Sequence, residues 1–158
     1  MRRGLATYQA TGAEAARPYY LAMLAGAYRK AGQIEEGLAL VAEALATTRK
    51  REQCFGEAGL YRLKGELLLK QASVETDLKS ARTGEEKAEE CFQKALDIAR
   101  HQSAKSVELR VVMSLSRLWQ KQGKKEEARQ LLAEVYGWFT EGFDTADLQE
   151  ARALLKEL

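Results

Sequence analysis

Four glutamate pairs, Glu35-Glu36, Glu85-Glu86, Glu89-Glu90 and Glu126-Glu127, are the side chains best suited to chemistry, since neighbouring carboxylates serve acid–base catalysis or hold a metal. Each pair lies early in a helical stretch, where the positive end of the helix dipole favours acids without any reaction. The single histidine, His101, closes a basic helical stretch and has no Ser or Cys nucleophile motif beside it, so the dipole accounts for it as well. QGKKEEA, residues 122–128, contains one glycine and lacks the glycine-rich loop that cradles a phosphate. Cys54 and Cys91 are not spaced as metal ligands, and an intracellular setting would keep both reduced rather than bridged. These residues predict a chain that is not an enzyme and uses neither cofactor nor metal.

The elements carrying these residues read as helices. Helix formers dominate the 158 residues, short alternating Val/Ile/Thr runs are missing, and the apolar share of 46% is enough for a core. With 25 basic and 23 acidic side chains, the net charge of +2 gives no global reason to bind nucleic acid or a membrane. No apolar run is long enough to span a bilayer, and MRRGLATYQATGAE has arginines without the apolar stretch of an export signal, so a cytoplasmic location is expected.

Two distant stretches share one grammar: GAYRKAGQIEEGLALVAEAL from Gly26 and SRLWQKQGKKEEARQLLAEVY from Ser116. Pro18 suits a helix start, and Leu21, Leu24, Ala25 and Tyr28 form one apolar stripe. Gly32 ends that helix, and a second carries Leu38, Val41, Ala44 and Leu45. Gly123 separates a later pair in the same way, with Ala128, Leu132 and Val135 on its second helix. Between them, Cys54–Gln71 and Glu85–His101 make a third pair, joined by the polar stretch 72–84, which reads as an inserted loop. Gly37, Ala88 and Ala128 are 51 and 40 residues apart, so removing about eleven loop residues leaves a period near forty.

This pattern resembles tetratricopeptide repeats. Leu21, Leu24, Ala25, Tyr28, Gly37, Val41 and Ala44 fall at the family's signature spacings. Tyr61, Lys64, Gly65, Leu68, Ala88, Phe92 and Ala95 repeat them, as do Val112, Leu115, Ser116, Trp119, Ala128, Leu132 and Val135. Lys64 stands at a usually apolar place, Val135 at a usually small one, and the family's proline after the second helix is replaced by Arg49, Arg100 and Thr140. The resemblance implies an all-α, right-handed superhelix of about three hairpins in one domain: a partial leading unit at 1–16, hairpins at 17–51, 52–103 and 104–140, and a capping helix at 144–158. Asp144 is the expected N-cap of that last helix, with Leu148, Ala151, Leu154 and Leu155 as its stripe. The wording of the tail is also similar to the carboxy-terminal repeats of large bacterial signalling ATPases, nucleotide cyclases and transcriptional regulators, which implies a regulatory or partner-sensing role.

In this family the first helix of each hairpin lines a concave groove. The resemblance therefore assigns to the groove Tyr19, Ala22, Gly26, Arg29 and Lys30; Gly59, Arg62, Glu66, Leu69 and Lys70; and Arg110, Met113, Arg117, Gln120 and Lys121. Seven are cations and one is an acid, which implies an acidic protein or peptide partner, with Arg62, Arg110 and Arg117 as fork donors and Tyr19 and Met113 as apolar contacts. Charge reversal at Arg62 and Arg117 is expected to spare folding and abolish binding. The family's best-known carboxylate clamp uses asparagine, which this chain lacks. Few aromatics interleave with the cations, which disfavours nucleic acid. Self-pairing through the amino-terminal edge is the alternative role. The cluster Tyr136, Trp138, Phe139 and Phe143 is expected to lie beneath the last helix, the alternative being an exposed anchor for a partner or a second copy.

Overall fold

A computed structural model describes residues 16–50 and 56–158. Among them the chain forms seven helices and no strand: α1 Arg17–Ala31, α2 Ile34–Lys50, α3 Glu57–Ala72, α4 Leu78–His101, α5 Lys105–Lys121, α6 Lys125–Tyr136 and α7 Ala146–Glu157. The partial unit at 1–16, Ala16 apart, falls outside the described residues, and so does Cys54.

Helix ends follow from local chemistry. Gly32 takes φ 77°, a left-handed value that costs glycine little, and turns the chain so that Gln33 N–H reaches the Tyr28 carbonyl at 3.0 Å. Gly123, at φ 82°, repeats this turn, with Lys124 N–H reaching the Trp119 carbonyl at 2.8 Å. The repeated sequence grammar is thus a repeated helix stop. It makes α1/α2 and α5/α6 tight antiparallel hairpins.

One apolar core runs the length of the molecule, from Leu21 and Ala25 through Phe92 to Leu148 and Leu154. Small residues set how closely helices approach. A Cβ on Gly65 of α3 would lie 2.5 Å from the Phe92 ring of α4, and one on Gly37 of α2 would lie 2.9 Å from Leu67 of α3. The first contact closes a hairpin, and the second joins neighbouring hairpins. Successive first helices pack together, α1 on α3, α3 on α5 and α5 on α7, while α2, α4 and α6 are not packed on one another in this way. First helices therefore line the inner side and second helices splay on the outer side, the arrangement of an α-α solenoid.

The stretch 72–84 is not an inserted loop. The turn occupies only 73–77, and α4 begins at Leu78. Asp77 caps it, its carboxylate accepting the Ser80 N–H at 2.9 Å, and that hydrogen bond holds the Asp77 carboxyl below its ordinary pKa. Gly84, which reads as a helix start, lies inside the helix, where a Cβ would come 2.8 Å from that of Ala72. The extra residues lengthen the second helix instead of interrupting the hairpin. At the other end the N-cap of α7 is Thr145 rather than Asp144. Leu148, Ala151 and Leu154 are buried, and Leu155 is half-buried.

Candidate partner-binding groove

Because α1, α3 and α5 lie side by side, residues of all three line a common trough. Its first part is a concavity of about 510 Å³. Tyr19, Ala22, Met23 and Gly26 of α1 form one wall, Gly59, Leu60, Arg62 and Leu63 of α3 the other, with Arg110 of α5 at the far side. Tyr19 is 65% exposed. A Cβ on Gly26 or Gly59 would meet nothing within 4 Å. Glycine in a helix costs roughly 0.5–1 kcal/mol relative to alanine. No internal contact requires it at either place, and the missing side chains widen the trough. A second concavity, of about 230 Å³, is lined by Leu69, Ser114, Arg117 and Lys121 and shares Arg29 and Glu66 with the first.

Glu66 marks the junction. Its carboxylate pairs with Arg62 one turn away on the same helix, with Arg29 Nη1 of α1 at 3.2 Å, and accepts from Ser114 Oγ of α5 at 3.0 Å. Three adjacent helices are thus tied at one carboxylate. Lys70 Nζ donates to the Arg29 carbonyl at 2.9 Å, so part of its charge satisfies the exposed end of α1.

Two of the remaining cations are held by the terminal helix. Arg110 Nε lies 2.7 Å from Asp147 Oδ2, and Arg117 Nη2 lies 2.6 Å from Glu150 Oε1. The basic wall is therefore opposed, contrary to the expectation from the register, because α7 supplies acids that the residues of the three hairpins do not include. The period carried the signal: Glu150 follows Arg110 by forty residues, which places it where the first helix of another unit would continue the groove. Lys30 and Lys121 are exposed and have no ion pair among the described residues, and Lys30 and Lys70 line neither concavity.

Met113 is a second correction. It is 3% exposed and belongs to the core, so it offers no contact to a partner. Flanked by α3 on one side and α7 on the other, α5 keeps less of its surface free than a helix at the end of an array. Met23, exposed and absent from the residues assigned above, supplies the apolar contact instead.

The aromatic cluster is only half covered. Tyr136 and Phe139 pack partly buried against the core, but Trp138 is 59% exposed beneath Lys105 Nζ, 5.8 Å from its ring centroid, and Phe143 is also exposed. The buried face of α7 is its Leu148–Ala151–Leu154 stripe, which begins beyond the aromatic turn.

His101 is exposed, and among the described residues no group of three or more His, Cys, Asp or Glu side chains is placed to hold a metal. Burial raises the Cys91 thiol pKa, so this cysteine stays protonated within the core. No helix among the described residues is long and apolar enough to cross a membrane.

The hairpins, with a groove along their first helices, form a helical-repeat array. Residues 110–136, most of α5 and all of α6, match the family model for the tetratricopeptide repeat, so this segment is similar to that family. No curated protein matches the chain.

Proposed function

We propose that the chain is a non-catalytic protein-interaction module whose groove binds an acidic, partly apolar segment of a partner protein. The observation that carries this reading is the trough between α1 and α3, where Tyr19 and Met23 stay exposed, two helical glycines leave open space, and arginines stand along the edge. Apolar side chains of the segment fill the trough. Its carboxylates add to the pairs at Arg29 and Arg62 and compete with Asp147 for Arg110. The exposed Lys30 and Lys121 extend the positive field at the ends of α1 and α5. The tail's likeness to signalling proteins supports a partner-sensing role within a larger cytoplasmic chain.

Charge reversal at Arg62 or Arg117 is a mixed test, since it also breaks the pair to Glu66 or Glu150. Tyr19→Ala is cleaner, because the side chain is largely exposed. Peptides selected from a random library on the wild-type chain are expected to be rich in Asp and Glu around an apolar anchor, and to bind Tyr19→Ala at least about tenfold more weakly. Selected peptides without acids, or equal binding to the variant, would refute the proposal.

A further inference from the structure

The most exposed large apolar side chains lie away from the groove. Leu78 is 86% exposed and Val74 is 75% exposed, both where α4 overhangs the second hairpin. α4 starts ten residues before Ala88, whereas α6 starts three before Ala128, its counterpart one period on. Seven added residues carry α4 about 10 Å further. The Asp77 cap and the seating of Gly84 on Ala72 hold this overhang as regular helix.

Beside it, towards the turn between α5 and α6, lies a notch of about 610 Å³. Leu78, Ala81 and Glu85 line one side at helical spacing, and Gln122 and Lys124 line the other. Glu89 marks the inner limit, accepting from Trp119 Nε1 at 2.7 Å and standing 3.8 Å from Lys124 Nζ. Arg82 pairs with Glu86 at 3.3 Å. Both cations lining the notch are thus engaged, while Glu85 has no ion pair among the described residues. Gln122 Oε1, buried at the lip, accepts no hydrogen bond there. The notch offers an apolar step at Leu78 followed, two turns along, by the Glu85 carboxylate, which has no ion pair among the described residues.

We propose that this notch is a second interaction surface, distinct from the groove, and that it takes a short basic amphipathic helix of a partner protein. An apolar side chain of that helix covers Leu78 and Ala81, and an arginine or lysine meets Glu85. A two-turn contact is far smaller than a stable interface, so binding is transient and adds to that of the groove.

The test is a titration of the isotope-labelled chain, followed by amide NMR, with a helical peptide of about 14 residues carrying leucines and arginines on one face. Shifts are expected at 78–89 and 122–124. Leu78→Ser, at an exposed side chain, and Glu85→Arg, at a half-buried one, should each weaken binding at least about tenfold, whereas Tyr19→Ala should leave it unchanged. A peptide with glutamates in place of arginines should not bind. Shifts that map to the groove, unchanged binding by the two notch variants, equal binding of the acidic peptide, or no shifts at about 1 mM would each overturn the proposal.

Discussion

In the second hairpin Gly65 leaves room for the Phe92 ring, which is fully buried; in the third, Ser116 stands at the equivalent place, and its hydroxyl donates to the Ala128 carbonyl at 3.2 Å across the hairpin. At this position the second hairpin sets a missing side chain against a large one, and the third a small polar bridge. The hairpins differ at their tips too: Gly123 turns the third within a few residues, whereas the second spends 73–77 on its turn and projects α4 past it. The third hairpin is the one the repeat family's model matches. Core volume can be exchanged within a register while the backbone geometry persists, but length added to one helix shifts the spacing between units.

The second hairpin is most sensitive at its largest fully buried side chain. Phe92→Ala is expected to cost about 3–5 kcal/mol, because the void opens against Gly65, which has no side chain to fill it. Urea denaturation should show the midpoint fall sharply.

Gly65→Ala places a methyl in the space the ring occupies and should cost about 1–3 kcal/mol. Gly26→Ala, on a helix that leaves its Cβ position open, should instead gain about 0.5–1 kcal/mol. Opposite signs from one chemical change, measured by the same denaturation, would establish that one glycine serves packing and the other does not.

Glu108 ties the second hairpin to the third. Its buried carboxylate accepts from Arg100 Nε of α4 at 2.9 Å and from Lys105 Nζ of α5 at 2.8 Å. Burial alone would raise its pKa, but the hydrogen bonds from Lys105 and Arg100 outweigh it and leave the carboxyl below its ordinary 4.5. A depressed folded-state pKa stabilises above the unfolded value and loses that contribution as pH falls through the folded one. Stability measured by urea across a pH series should therefore drop below about pH 4.5, and Glu108→Gln should flatten that slope. At neutral pH Glu108→Ala should cost about 1–3 kcal/mol, limited because Arg100 and Lys105 are partly solvated and can rehydrate. The smallest effect is expected at the groove rim: Glu150→Gln should change stability by less than about 1 kcal/mol, since its pair with Arg117 is largely solvated.

The hairpins were legible because their signals are local. A glycine able to take positive φ, followed by a renewed apolar stripe, marks a turn without knowledge of the rest of the chain. The overhang of α4 was not, because Gly84 reads as a boundary in sequence although its role is close approach to Ala72, a contact only the fold supplies. Within the groove, exposed Tyr19 and the arginines could be placed from the register. Met113 could not, since its burial depends on α5 being flanked on both sides. Nor does a helix understood only as a cap reveal the neutralising role of Asp147 and Glu150, although Glu150, forty residues after Arg110, stands one period on from the third groove helix.

In the proposed binding mode a partner segment enters the open trough that α1 and α3 leave. That mode is tested most directly by Gly26→Ala combined with Gly59→Ala, with unfolding by urea and affinity for a library-selected groove peptide measured on the same preparation. The account predicts a higher unfolding midpoint together with an affinity at least about tenfold lower, because the added methyls favour the helices and fill the trough. A lower midpoint, or an unchanged affinity, would contradict it.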